Sequence, residues 1–411
     1  MIQAFSGIFV FILISFLLSE NKRKISIKFV VSGIFCQFLL AAIFLKFPYS
    51  KEIFIYLNKI VLILDEATRA GTSFVFGYIG GGELPFKENF PGRTFSLAFQ
   101  ALPIVLVISA VSSLLFYLKI LPVVVRGFSY ILTKTLKIGG AEGVGVSANI
   151  FIGMVESPLL IRPYLNQMTR SEIFSVMTTG MATIAGTVMV LYAGILSDKI
   201  PGILGHILTA SIISVPAALI TAKIIIPETD EVTKGEFFDP DPSTSSMDAI
   251  TKGTMSGLNL WLNIIAMIIV LVALVHLANI FLSFLPFSSP LTLQKILGYL
   301  MAPIAWLMGI PWSEALNAGS LLGTKTVLNE FIAYLELLKL PKNALSDKSE
   351  LIITYALCGF ANPGSLGIMI GGLGAMAPNR RNEIVSLGLK SIIAGTIATC
   401  MTGAVACIFI I

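Results

Sequence analysis

Two glutamates stand in stretches that are otherwise apolar, small or helix-breaking. Glu156 lies within GAEGVGVSANIFIGMVESPLLIRPYL (140–165) and Glu330 within SEALNAGSLLGTKTVLNEFIAYLELLKL (313–340). A carboxylate in a bilayer costs at least about 2.5 kcal/mol, so both are expected to line a polar cavity. The alternative is a carboxylate satisfied by neighbouring backbone N–H groups. Glu330 follows Asn329 at a turn and can accept two hydrogen bonds at once, as the paired hydroxyls of a sugar offer. Asn362 supplies a donor and acceptors, Ser365 a hydroxyl, and Phe360 a face for a flat ring, although a lone Phe more often packs a core. Asn149 and Thr183 make a second set. With carbonyls freed near Ile152 and Ile184, they offer oxygens to a bare monovalent cation without a full negative charge. Asn and Thr also cap half-helices, the structural role they fill elsewhere.

Such groups need a fold that opens helices inside lipid. The chain has 411 residues, 55% of them hydrophobic and 12% charged. Soluble domains carry roughly 25% charged residues, and the mean hydropathy of +0.89 excludes an ordinary soluble fold. At about 20 apolar residues per crossing, the apolar stretches allow eight or so spans. The expected class is an all-α polytopic membrane protein. The formal charge of +5 is scattered over short loops, which argues against a nucleic-acid partner. Four cysteines lie in apolar stretches without CxxC spacing, and two histidines cannot make a His-rich metal site. No cofactor is implied, and the cysteines read as apolar filler.

Residues 4–18 have the apolar character of a signal peptide, but no basic residue precedes them, and Lys22, Arg23, Lys24 and Lys28 follow. They are expected to be a retained helix ending at the cytoplasm, with both termini outside a bacterial cytoplasmic membrane. The Lys/Arg bias is small, and Lys339, Lys342 and Lys348 run against it.

Residues 1–118 are expected to hold the N-terminal spans, the stretch 47–95 lying partly on the outer surface as an amphipathic segment and loop. Residues 119–226 make a first unit: a helix along the cytoplasmic face, a re-entrant hairpin bent at Val155–Pro158, a helix broken within TGMATIAGT (179–187), and a plain helix. The charged, Pro/Ser-rich stretch 227–255 is expected to be a cytoplasmic linker, and 256–284 a single span. Residues 285–411 repeat the first plan: surface helix 288–311, hairpin around Asn329–Glu330, helix broken at Ala361–Ser365, plain helix. The intervening span inverts the second unit, the inverted repeat common in secondary transporters. Backbone that leaves the helix at membrane depth is tolerated only where protein or a watery cavity covers it. Other polar residues read as structural. Glu142 and Glu314 begin equivalent helices, His206 and His276 sit singly on apolar helices, and Trp261, Trp306 and Trp312 suit interface anchoring.

The segments SANIFIGMVESPLLIRPYL (147–165), GTKTVLNEFIAYLEL (323–337), YALCGFANPGSLGIMIGGLG (355–374) and GHILTASIISVPAALITAKIIIPET (205–229) carry a family likeness. The chain resembles the concentrative nucleoside transporter family of sodium/nucleoside symporters over nearly its whole length. The resemblance implies homotrimers of eight-span protomers with two re-entrant hairpins, importing nucleosides with sodium or protons. It implies sodium held by Asn149, Thr183 and the carbonyls of Ile152 and Ile184. It puts the ribose against Glu330, Asn362 and Ser365 near Phe360, and the base against Met154, Val155 and Glu156 with Val188 beside it. Proton-coupled relatives tend to have Ser at Asn149, so the match favours sodium.

Met154 and Val155 depart from the Gln and Thr or Ser usual in the family, and Pro363 and Gly364 from Phe and Ser. Pyrimidine edges would lose partners at roughly 1–3 kcal/mol each, so apolar contact with the base, tolerant of purines, is expected. The expected function is sodium-coupled nucleoside import by alternating access, with a proton-coupled importer of nucleosides or modified nucleosides as the alternative. An intramembrane hydrolase fits poorly, because neither Glu lies in a catalytic motif and no Ser–His pair is evident. A membrane-embedded sensor is the remaining class.

Overall fold

The computed structural model describes residues 2–46, 48–86, 94–154, 156–197, 199–235, 243–284, 291–341 and 343–410, with backbone alone for 48–58, 60 and 61. These residues form sixteen α-helices joined by short helical turns, and no strand occurs among them.

The chain begins with α1 (Ile2–Leu17), α2 (Ile27–Lys46) and α3 (Pro48–Phe76). The mixed stretch after residue 47 forms a helix of 29 residues, α3, followed by the turn-rich piece that begins at Gly77. Its charges are accommodated in part by pairing along the helix, Asp65 with Arg69 at 3.0 Å. Then come α4 (Ile104–Tyr117) and α5 (Ile120–Leu136).

Next comes α6 (Gly140–Asn149), which ends in turns and returns as a 3₁₀ segment, Ser157–Tyr164. Pro158 and Pro163 lack the N–H an α-helix would need there. The first broken helix is α7 (Arg170–Ala182) and α8 (Gly186–Leu196), parted by 183–185, and the plain helix α9 (Ile203–Ile225) follows. A capping box between Thr169 and Glu172 starts α7.

The long helix α10 (Ser246–Ser283) begins ten residues before the expected span, inside the stretch read as linker, with the Ser245 side chain capping the Asp248 N–H. The second unit is α11 (Leu293–Leu307), the hairpin α12 (Trp312–Val327) and α13 (Glu330–Lys339), the broken helix α14 (Asp347–Leu357) and α15 (Pro363–Met376), and α16 (Arg381–Phe409). The chain turns 118° between α11 and α12. Gly309 makes that corner at φ +102°, where a side chain would be strained.

The helix is interrupted in both stretches expected to be hairpins and in both expected broken helices, and Val155, where the first hairpin is expected to bend, lies outside the described residues. The second break lies at 358–362, a few residues before the expected place, because Asn362 caps α15 and Pro363 fits only its first turn. Among the described residues, six stretches are long and apolar enough to cross a membrane, or seven if the bent pair α11 and α12 counts as one, while α1 and α15 are shorter apolar helices.

Packing divides the molecule. The helices α1 and α2 lie against α9 and α16, whereas α4 packs chiefly on α10. Gly253 and Gly257, one turn apart on α10, make that second pairing close. A Cβ on Gly253 would stand 2.6 Å from the Ser109 carbonyl oxygen, and one on Gly257 2.9 Å from the Leu106 Cα. Trp261 packs at this junction. Its indole donates to the Ala98 carbonyl at 2.9 Å, and its ring meets Phe76 and Phe99. Nearly all of α9 is buried, whereas few residues of α10 are buried and the rest are half-buried or exposed.

Candidate functional site

The two breaks cross at the centre of the molecule. A Cβ on Gly359, in the second break, would sit 2.8 Å from the Met181 carbonyl oxygen beside the first. Ser211 on α9 ties them further, accepting from the Ile184 N–H at 3.3 Å with its Oγ 3.5 Å from the Cys358 sulfur. The first hairpin tip closes on the same place, since the Gly186 N–H that opens α8 donates to the Phe151 carbonyl at 3.0 Å. Gly153 completes the tip at φ +93°, with space for no side chain, because a Cβ would lie 2.9 Å from that of Ala185.

Between the tips and breaks lies a cavity of about 180 Å³. Met154, Glu156, Val188, Glu330, Phe360, Asn362 and Ser365 all line it, so residues from four separate stretches converge. Val155, the remaining predicted base contact, lies outside the described residues. Leu260, Asn263, Ile264, Met267, Ile268 and Leu271 supply a wall from α10.

Glu330 is 5% exposed and already holds two donors: the Tyr192 hydroxyl reaches Oε1 at 2.7 Å, and Asn362 Nδ2 reaches Oε2 at 3.0 Å. Two donors leave lone pairs on both oxygens for a pair of hydroxyls. Asn362 is itself fixed, its Oδ1 accepting from the Ser365 N–H at 2.8 Å. Asn329 caps α13 through the Ile332 N–H at 2.8 Å, which sets the direction in which Glu330 leaves the hairpin tip.

Tyr192 was not among the residues the sequence singled out. It lies on α8, is 2% exposed, and its ring sits tilted against those of Phe331 and Tyr334. Its only signal is a hydroxyl in the apolar run VMVLYAGIL, which sequence alone cannot aim at Glu330.

Asn149, Thr183 and Ile184 are buried behind the first hairpin tip and do not line the cavity, whereas Ile152 does. Thr183 Oγ1 approaches the Asn149 carbonyl at 3.5 Å and donates to the Thr179 carbonyl at 2.9 Å. Asn149 Nδ2 faces the Val176 carbonyl at 3.5 Å, while its Oδ1 is buried without a hydrogen-bond partner among the described residues. An orphaned acceptor in a protein interior costs free energy that a cation would recover. The donor set of amide oxygen, hydroxyl and carbonyls suits a monovalent cation.

A second cavity of about 570 Å³ adjoins the first, sharing Ile152, Glu156, Thr187 and Leu260. Ser109, Ser112, Ser113 and Ser256 line it, and it reaches Ser243 and Lys252 at the start of α10. The structural polar residues fall as follows. Glu142 pairs with Lys223 at 3.1 Å, Glu314 accepts from the Ser346 N–H and hydroxyl at 3.1 Å, and His206 meets the Tyr355 hydroxyl at 3.0 Å.

The chain is similar to known proteins over nearly its whole length. Residues 206–407 match the family model "Na+ dependent nucleoside transporter C-terminus", residues 6–79 the corresponding N-terminus, and residues 98–199 "Nucleoside recognition". The chain is 39% identical to the uncharacterized transporter YutK of Bacillus subtilis, over 98% of each sequence. It is 37% identical to the nucleoside permease NupC of Helicobacter pylori, over 98% of this chain and 96% of the permease. Among solved structures, CNTnw in an inward-facing substrate-bound state superposes with a TM-score of 0.91 at 35% identity, covering 99% of this chain and 98% of that one.

Proposed function

The chain belongs to the concentrative nucleoside transporter family, and from that premise we propose that it imports nucleosides with sodium by alternating access. The observation that carries this reading is Glu330, held by Tyr192 and Asn362 at the edge of a cavity formed where two broken helices meet two hairpin tips. A carboxylate so oriented accepts from both hydroxyls of a ribose, with Ser365 adding a hydroxyl and Phe360 a ring face. The base then lies toward Met154, Glu156 and Val188, a mainly apolar lining that tolerates purines.

Sodium takes the place framed by Asn149, Thr183 and the carbonyls of Ile152 and Ile184. The unpartnered Asn149 Oδ1 supports a metal cation over a proton, because an amide oxygen does not titrate near neutral pH. Ordering of the hairpin tip links that place to the cavity, since Ile152–Met154 run from one to the other. Coupling is then reciprocal: sodium raises nucleoside affinity by the factor that nucleoside raises sodium affinity.

The protomer crosses a bacterial cytoplasmic membrane eight times, with both termini outside and the hairpins re-entrant. In that orientation the serine-lined cavity opens toward the cytoplasm and forms the release route. The pair α4 and α10 acts as the frame on which the remaining helices move, and the exposed face of α10 joins protomers into a trimer. Uptake of radiolabelled uridine and inosine into proteoliposomes, with sodium or choline outside, tests the reading. Sodium-dependent accumulation supports it, and uptake indifferent to sodium rejects the coupling.

A further inference from the structure

Lys325 is fully buried on α12, the first arm of the second hairpin, five positions before Glu330. Its ammonium donates to two neutral oxygens, the Ala356 carbonyl at 2.8 Å and Thr399 Oγ1 at 2.8 Å. Ala356 lies at the end of α14, next to the second helix break, and Thr399 lies on α16. A lysine buried merely for stability would be expected against a carboxylate. Here the positive charge is held instead by a hydroxyl and a carbonyl beside a helix end, a set of oxygens like that around a metal cation.

The internal repeat gives this arrangement a counterpart. Asn149, on the first arm of the first hairpin, faces the Val176 carbonyl of α7, the first half of its own broken helix. Lys325 faces the Ala356 carbonyl of α14, the first half of the other. A hydroxyl from the plain helix stands beside each break: Ser211 of α9 accepts from the Ile184 N–H at the first, and Thr399 of α16 accepts from Lys325 beside the second.

We propose that Lys325 is a tethered cation, whose ammonium fills in the second repeat the place that exchangeable sodium takes in the first. This rests on the sodium reading given above. The lysine holds the break between α14 and α15 open at all times, so Asn362 stays positioned against Glu330 whether or not sodium is bound. It also places one positive charge near the Glu330 carboxylate inside the same unit. Ion control of nucleoside binding is thereby confined to the first hairpin, with one exchangeable sodium per protomer. Lys325 is a positioning residue and does not touch the substrate.

The test is nucleoside binding to purified wild type, Lys325→Met and Lys325→Ala, titrated with sodium and with ethylammonium at constant ionic strength. Wild-type binding should rise with sodium at a Hill coefficient of about 1 and ignore ethylammonium. Both variants should bind uridine at least about tenfold more weakly at low sodium. Lys325→Ala should recover on adding ethylammonium but not ethanol, and Lys325→Met should need sodium more steeply, with a Hill coefficient approaching about 2. Lys325→Met keeps the length of the stem, and serves if the alanine variant does not fold. Folded variants with wild-type sodium dependence and no amine rescue would overturn the role given to the lysine alone. A wild type indifferent to sodium would overturn the first-repeat site, and this proposal with it.

Discussion

Tyr192 and Glu330 are 138 positions apart, and the hydroxyl of one lies 2.7 Å from the carboxylate of the other. The bond joins the second half of the first broken helix, α8, to the start of α13 at the tip of the second hairpin.

Glu330→Gln should abolish uptake while leaving membrane insertion and assembly intact, because the amide presents only one acceptor oxygen to a diol. Tyr192→Phe should weaken nucleoside binding by about tenfold, the loss expected when a hydrogen bond to a charged group is removed. Calorimetric binding and proteoliposome uptake check both, and wild-type transport by Glu330→Gln would remove the ribose assignment.

Asn149→Ala should raise the sodium concentration for half-maximal uptake by about tenfold and lower nucleoside affinity with it, since the two are linked. Uptake titrated against sodium measures the first effect. An unchanged sodium curve would place the ion elsewhere.

Met154→Gln introduces a hydrogen-bonding group where the cavity lining is apolar. Uridine binding should improve relative to inosine by roughly five- to tenfold, within the 1–3 kcal/mol of one buried partner. A competition assay with both nucleosides reads the ratio directly.

Gly359→Ala should destabilise the protein by about 1–3 kcal/mol, because the added carbon meets the Met181 carbonyl oxygen and the Thr399 methyl, each at 2.8 Å. Gly367→Ala on α15, with nothing within 4 Å, should be neutral or stabilising. Melting temperatures in detergent separate the two, and equal values would mean that the crossing of the breaks yields easily.

Glu20, in the loop after α1, pairs with Arg170 at 3.0 Å and Lys390 at 2.6 Å. The hydrogen bond from Arg170 holds its carboxyl below the ordinary value of 4.5, against the opposing effect of partial burial and with further help from Lys390. A carboxylate with a lowered value contributes stability that is complete above about pH 4.5 and lost as the pH falls through the lowered value. Glu20→Gln should therefore lower the melting temperature near neutral pH, with the difference vanishing at the acid end and shrinking at high salt. A pH-independent difference would assign the loss to packing.

Much of the candidate site was legible in the chain. Glu156 and Glu330 stood out because a carboxylate is costly in lipid, and Asn362 because it offers a donor and acceptors at an expected helix break. Tyr192 and Lys325 did not stand out. A tyrosine within an apolar run suits core, lipid or site equally, and a lysine near a helix end suits a snorkelling role. The start of α10 is not legible in composition, since Ser245–Asp248 is a helix cap set within residues that read as linker.

Hydropathy, helix breakers and charge are local properties, readable within a window of about twenty residues. By themselves they determined that this chain is helical, membrane-embedded and interrupted within its apolar stretches. Which interruption lies against which is a matter of packing between segments far apart in sequence. Only the tertiary structure set Gly359 on Met181, Tyr192 on Glu330 and Lys325 between Ala356 and Thr399. Those contacts depend on close approach between distant backbones, and no local pattern encodes that distance.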